Sequence, residues 1–447
     1  MKDRVCINEI KENFEIGKYF KVTGRVIAKR IIGKIIFLNL RDQSGSIQLI
    51  CNRNVYDERL FSIITAVKTG DIISAEGETC FSNTNEKSLL LKSCSILRRN
   101  QTINFIGYKK TQRKNQYKER YLELSVNQGK FKYYTDCSRL IFRIRESLYN
   151  RGFLEFDTGI LQSCFEGGLV KPFETYSRAI CKNFYLRAAL EIKLKQLLAS
   201  GYEKIFEIGR VFRNVGFNSQ TSPEFILLEC YQAFSDYHDM INLVETVIKE
   251  ALLKIFGEKV DAQTDRMASL LKPWKKINFA EIMQEKINKE ISSFRNKNNL
   301  KKILSEHGLT TATGATEGQM IRKILEKLII SKITFPTFIT EIPLTAFPLA
   351  KTFSKNEEIS EGAILVIDGE FVGDIYTDEN DPEIIKDRLI EQTKKVGRPV
   401  NENFINLLRF GVPPSAGFGL GINRLLLVVR DDWEKDIRET FVFPPLS

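Results

Sequence analysis

The chain has 447 residues, of which 43% are hydrophobic and 28% charged, and a formal net charge of +11. That is the composition of a globular protein with room for two or three domains; no apolar run approaches the roughly 18 residues needed to cross a bilayer, and no signal core opens the chain, so a cytoplasmic protein without a membrane span is expected. Eight cysteines without a Cys-x-x-Cys pair and only two histidines, His238 and His307, argue against a zinc site, a disulfide framework or histidine-centred catalysis, while the basic balance favours a polyanionic partner.

In chain order, residues 19–29 alternate through a strand, 34–40 form a second, a turn at 42–45 reverses the chain, and 46–51 form a third. Residues 56–68 have helical spacing, and 71–77 and 88–93 supply two more strands. Three strands, a helix and two strands is the order of an OB-fold barrel. Such barrels stack single-stranded bases on aromatics and pair phosphates with cations. Arg30, Phe37 and Gln48 are the candidate readers, although Phe37 taken alone also reads as barrel core. The expected organisation is an OB domain at 1–105, a polar basic linker at 106–124 and a larger domain at 125–447.

The larger domain reads as α+β. A helix is expected over 130–151, ending near Gly152, and another over 191–200. Strands are expected at 153–157, 179–186, 205–213, 224–234, 363–367 and 371–376. Residues from about 240 to 330 are rich in Lys and Glu and read as a helical insertion outside the main sheet. Antiparallel succession with few helical crossovers argues against a Rossmann fold, and there is no P-loop, no G-x-G-x-x-G and no internal repeat.

Residues 206–216 and 223–231 read as two strands joined by a polar loop, with Arg213 near the turn and Glu229 and Tyr231 on one face of the return strand. An arginine, a carboxylate and a phenol so placed can receive a phosphate and a cationic amine together. This pair resembles motif 2 of class II aminoacyl-tRNA synthetases, most closely that of lysyl-tRNA synthetases. Residues 411–425, a Gly-rich strand entering a helix with Arg424 near its start, resemble motif 3, where glycines let the backbone approach a nucleotide. Segments 185–195 and 337–351 match in the same order, so the resemblance covers nearly the whole chain.

The resemblance implies an N-terminal OB-fold barrel plus a class II antiparallel-sheet catalytic domain. It implies that lysine and ATP form lysyl-adenylate and that the lysyl group then passes to tRNA, whose anticodon the OB domain reads. Arg213 would hold the α-phosphate and Arg424 the γ-phosphate side. Gly168 and Glu191 would receive the α-amino group, and Glu229 and Tyr231 the side-chain ammonium. Motif 1 implies a homodimer.

Several positions depart from the family pattern. Gly159 replaces the proline of motif 1, Val215 a carboxylate that contacts adenine, Thr221 a histidine that reaches the terminal phosphate, and Asn423 an aspartate. Ile364 and Phe371 stand where two glutamates are expected to bind Mg²⁺, and neither offers the oxygen that ion requires, so no metal ligand is assigned. A shifted register would instead bring in Glu361 and Asp368 or Glu370. Asp374, Tyr376 and Asp378 follow in the family's pocket-forming run; the two aspartates keep its negative charge but set it farther from a lysine ammonium. Lys87 stands near the place of a glutamate reader in the barrel. Three readings stay open: a working divergent lysyl-tRNA synthetase, a paralogue that binds a cationic amino acid or tRNA without activating it, and a ligase for another amine-bearing acid.

Overall fold

The computed structural model describes residues 3–54, 58–101, 117–166, 170–257, 265–312, 314–354, 356–394, 400–428 and 435–445. The chain divides into two units, Met1–Tyr133 and Tyr134–Pro445.

The first unit is a closed barrel of β1 (Tyr19–Ile32), β2 (Ile35–Arg41), β3 (Ser46–Asn52), β4 (Ile72–Phe81) and β5 (Lys87–Arg98), joined in the order β1-β2-β3-β5-β4. Alternation builds it. On β2, Ile36, Leu38 and Leu40 are buried while Ile35, Phe37 and Asn39 stay half-exposed. Ile47, Leu49 and Cys51 of β3 and Leu89 and Leu91 of β5 enter the same core. Phe37 is therefore not a core residue; its parity turns it out of the barrel. Helix α1 (Glu58–Ala66) packs on β3 and β5. Of the expected linker, residues 106–116 lie outside the described residues, and Arg120–Val126 forms a helix that buries Arg120 and Leu122.

The second unit is built on an eight-stranded sheet. Its strands are β6 (Leu154–Glu155), β7 (Lys204–Phe212), β8 (Glu224–Ala233), β9 (Lys275–Asn278), β10 (Thr337–Thr340), β11 (Gly362–Ile367), β12 (Glu370–Thr377) and β13 (Ser415–Gly421), in the spatial order β9-β10-β11-β12-β13-β8-β7-β6. Every neighbouring pair is antiparallel except those at the two edges, β6 with β7 and β9 with β10. Strand β11 is buried at every residue, as a central strand covered on both faces must be. Helix α2 (Gln128–Tyr149) precedes the sheet, α3 (Glu191–Ala199) packs on β7 and β8, and α4 (Tyr237–Phe256) packs on β11, β12 and β13. A capping box starts α4, with the Asp236 carboxylate accepting from the His238 and Asp239 backbone N–H groups.

Two expectations are corrected here. The segment from about 240 to 330 is not wholly outside the sheet, because Lys275–Asn278 pairs with β10 as the edge strand. The strand expected at 179–186 forms only over Lys182–Leu186, and it belongs to a separate three-stranded sheet with Leu161–Gln162 and Phe173–Ser177.

Candidate active site

The central strands place the site. Glu229 on β8 faces Gly419 across the ladder, and Tyr231 faces Gly417. A Cβ at Gly417 would collide with the Tyr231 ring, so glycine there makes room for a phenol of the pocket wall. The glycine run of β13 is thus explained first by protein packing, before any approach of backbone to nucleotide.

Part of the pocket is acidic. Glu229 is 5% exposed; its Oε1 accepts from the Leu190 backbone N–H at 3.2 Å and its Oε2 from the Tyr231 hydroxyl at 3.3 Å. Burial and then the Glu191 carboxylate push its pKa up to about 8, against the opposing pull of the Leu190 N–H, Arg213 and Tyr231. Glu191, at the start of α3, accepts from the Tyr376 hydroxyl at 2.9 Å and from Lys195 Nζ at 2.8 Å. Burial, followed by Glu191, raises both the Tyr231 and Tyr376 phenols well above their ordinary value, so they are donors.

Lys195 is the residue that sequence reasoning missed. It is 1% exposed, and its ammonium lies 3.0 Å from Asp378 and near the faces of Tyr231, Tyr376 and Phe404. Burial opposes its charge, yet Asp378 and Glu191 outweigh that and hold its pKa above the ordinary value. The signal was present, because Glu191 and Lys195 sit four apart on one helix face. Asp378 also accepts from the Ser415 hydroxyl at 2.6 Å. The Asp378 carboxylate, expected to keep the pocket's negative charge, is engaged by Lys195 and Ser415. Asp374 is likewise engaged, with Arg322 Nη2 at 3.1 Å from its Oδ2. Glu229 has no ion pair among the described residues, whereas Glu191 shares the Lys195 ammonium with Asp378. Gly168 lies outside the described residues.

Two arginines carry the expected positive charge. Among the described residues the Arg213 side chain makes one hydrogen bond, from Nε to the Ala188 carbonyl at 3.3 Å, and its guanidinium lies 5.0 Å from the Phe225 ring centre. Burial lowers its pKa, Glu229 and Asp374 support the charge, and Arg322 opposes it. Arg424 follows β13 on helix α6 (Ile422–Val428) and donates to Glu370 at 2.9 Å and to the Gln220 carbonyl at 3.1 Å, which brings it to the loop between β7 and β8. Carboxylates with an arginine in electrostatic reach suit a ligand carrying an amine and an anion.

The departures now have physical accounts. Gly159 has φ +77°, which the proline ring forbids. The Asn423 side chain accepts from the Ile226 N–H at 2.7 Å and donates to Thr440 Oγ1 at 2.8 Å, a bridge between chain segments. Thr221 donates to the Gly216 carbonyl within its own loop, and Val215 is exposed. Ile364 is 2% exposed in an apolar cluster, against which Phe371 packs. A bulge on β12 leaves Ile364 opposite Asp374 and Phe371 opposite Val366. Asp368 pairs with Lys435 and Glu370 with Arg424. Among the described residues no three His, Cys, Asp or Glu side chains gather as a metal-binding group. The residues present do not fit Mg²⁺ held by protein carboxylates.

On the barrel, Arg30 lies directly opposite Phe37, and Asn39 opposite Gln48. Gln48 donates to Glu86 Oε2 at 2.9 Å and accepts from the Ser88 hydroxyl at 3.2 Å. The acid beside Gln48 is thus Glu86, which the sequence reading passed over for Lys87. Lys87 instead donates to the Lys11 carbonyl at 2.6 Å and lies over Phe14. The Asn39 Oδ1 on the same face is buried without a hydrogen-bond donor among the described residues.

Residues 112–447 match the family described as tRNA synthetases class II (D, K and N), and residues 20–97 match the OB-fold nucleic acid binding domain. The chain is 33% identical to a lysine–tRNA ligase of Chloroflexus aurantiacus, over 95% of this chain and 88% of that protein. It is 32% identical to a lysine–tRNA ligase of Thermoanaerobacter pseudethanolicus, over 98% and 88%. It is 33% identical to lysine–tRNA ligase 2 of Methanosarcina mazei, over 99% and 88%.

Proposed function

Because the chain belongs to the class II tRNA synthetases of the D, K and N group, we propose that its pocket orients lysine for attack on ATP. The protein is an aminoacyl-tRNA ligase of the lysine type, activating lysine with ATP and charging tRNA, with an OB-fold domain for the nucleic acid. The single observation that carries the site assignment is the cluster of Glu191, Glu229, Tyr231 and Tyr376 with Arg213 in electrostatic reach of Glu229.

In this reading the side-chain ammonium of lysine meets Glu229 and Tyr231 and restores the charge that burial removes from Glu229. The α-ammonium meets Glu191, with Gly168 assigned beside it. The carboxylate oxygen attacks the α-phosphorus, pyrophosphate leaves, and Arg213 carries the negative charge that develops there. Arg424 takes the γ-phosphate side after exchanging a bond to Glu370 or Gln220. Lys195 holds Glu191 and Asp378 in place and makes the pocket less acidic than its carboxylate count. No step is routed through a metal ion held by the protein. Arg30, Phe37 and Gln48, joined by Glu86, are assigned to the anticodon bases.

A homodimer fits the exposed apolar side chains Phe142, Leu154, Ile160 and Leu161, which are 57%, 44%, 40% and 60% exposed around edge strand β6 and the segments beside it. No helix among the described residues is long and apolar enough to cross a membrane, and cytoplasmic residence is the natural setting for the proposed substrate.

The test is lysine-dependent ATP–pyrophosphate exchange. Exchange with lysine supports the reading. Exchange with a different amino acid alone reassigns the substrate, and no exchange with retained lysine binding reassigns the chain as a binding protein. Arg213→Ala abolishes exchange if the guanidinium holds the reacting phosphate; unchanged activity rules that role out.

A further inference from the structure

Helix α5 (Glu317–Ile324) packs on the eight-stranded sheet and carries Arg322 to Asp374 of β12. Its Nη2 donates to Asp374 Oδ2 at 3.1 Å and to the Ala346 carbonyl at 3.3 Å, and its guanidinium lies 5.1 Å from the Phe347 ring centre. Phe347 in turn packs against Tyr376 of the amine end, with ring centres 5.8 Å apart. The pair is not sealed: Arg322 is 35% and Asp374 27% exposed, so solvent, and hence a ligand, reaches both.

Two features set this pair apart from a structural salt bridge. First, Asp374 serves two guanidinium groups, since Arg213 also lies within its electrostatic reach and within that of Arg322. With Glu229 beside Arg213 and Glu326 beside Arg322 also weighing on the balance of charge, the two guanidinium groups repel each other in a partly desolvated site. An anion entering between them relieves that repulsion through charge-assisted bonds. Second, the positions nearest Asp374 on the β11–β12 pair are apolar. Ile364, Val366 and Phe371 share the face with Asp374, by register and by the bulge on β12.

We propose that Arg322 is a second cation of the adenylate-forming site, bracketing with Arg213 the carboxylate and α-phosphate that join, and supplying from the protein the charge that carboxylate-bound metal ions have no ligands to supply here. The inference rests on the lysine-activation reading above. In the step itself, a lysine carboxylate oxygen forms a bond to the α-phosphorus, the bond from that phosphorus to the bridging oxygen breaks, and pyrophosphate departs with the electron pair. Arg322 moves no proton; it stabilises charge. Asp374 holds its guanidinium at the right height until the ligand anion competes for it.

The experiment compares wild type with R322Q, R322K and D374N in lysine-dependent ATP–pyrophosphate exchange, with thermal melts to verify folding and free Mg²⁺ varied above the amount that complexes ATP. Losing one preorganised charge from such a site costs about 10²–10³ in rate, so R322Q falls by at least about a hundredfold at wild-type melting temperature. R322K, a point charge without the planar fork, falls by about tenfold. D374N, which loses only the tether, falls far less than R322Q. Wild-type exchange is flat in free Mg²⁺ once ATP is complexed. Equal losses in R322Q and D374N, or a wild-type rate in R322Q, overturn the proposal; if R322Q does not fold, a wild-type rate in R322K does so. A steep rise with free Mg²⁺ in the wild type also overturns it. A wild type silent in exchange overturns the lysine-activation reading and this inference with it, whereas an active wild type with an active R322Q overturns the inference alone.

Discussion

At the scale of single residues, the pocket works through charges that are costly to bury. Glu229, held near pKa 8 by burial, is largely protonated at neutral pH in the free protein. A ligand ammonium favours its carboxylate, so binding releases a proton. The KM for lysine therefore falls as pH rises toward 8, and calorimetry in buffers of differing ionisation enthalpy detects the proton released. Glu229→Gln removes both effects; a pH-independent KM in the wild type contradicts the assignment. Stability runs the opposite way. The raised pKa means that the contribution of Glu229 to folding is fully present below its ordinary value of 4.5 and is lost as pH rises through about 8. Free protein thus melts earlier at pH 9 than at pH 6 by more in the wild type than in Glu229→Gln.

At the scale of elements, β13 is glycine-rich because its neighbours need the space. Gly417→Ala drives a methyl group into Tyr231, whereas Gly419→Ala meets the Glu229 Cγ at an ordinary 3.7 Å. Overpacking of this kind costs about 1–3 kcal/mol. Gly417→Ala therefore lowers the melting temperature and raises the KM for lysine, while Gly419→Ala changes both much less; equal effects contradict the packing account. The barrel strands were legible from the sequence because Ile36, Leu38 and Leu40 alternate with outward residues. Strand β9 was not, since its Lys-Lys-Ile-Asn run lies between helical stretches and becomes a strand only by pairing with β10, some sixty residues on. The same holds within the site. Glu229 and Tyr231 could be read from strand periodicity, but the partner of Asp374 is 52 residues away on a helix, beyond the reach of any local pattern. The partners of Asp374 and Asp378 were hidden for that reason, Arg322 and Lys195 being distant in the chain.

At the scale of the whole molecule, two units carry two tasks. Lysine activation belongs to Tyr134–Pro445 and anticodon reading to the barrel. Removing the half-exposed ring in Phe37→Ala forfeits a base stack, worth about 1–3 kcal/mol. The charging of tRNA falls about tenfold or more while lysine-dependent exchange stays at the wild-type rate; an equal fall in exchange contradicts the division of labour. The central claim is a pocket with an amine end and an anion end, and a crystal structure of the protein with lysine and a non-hydrolysable ATP analogue tests it most directly. The account predicts the lysine ammonium groups at Glu229 and Glu191 and its carboxylate between Arg213 and Arg322. A lysine bound in the reverse sense, or outside these residues altogether, contradicts it.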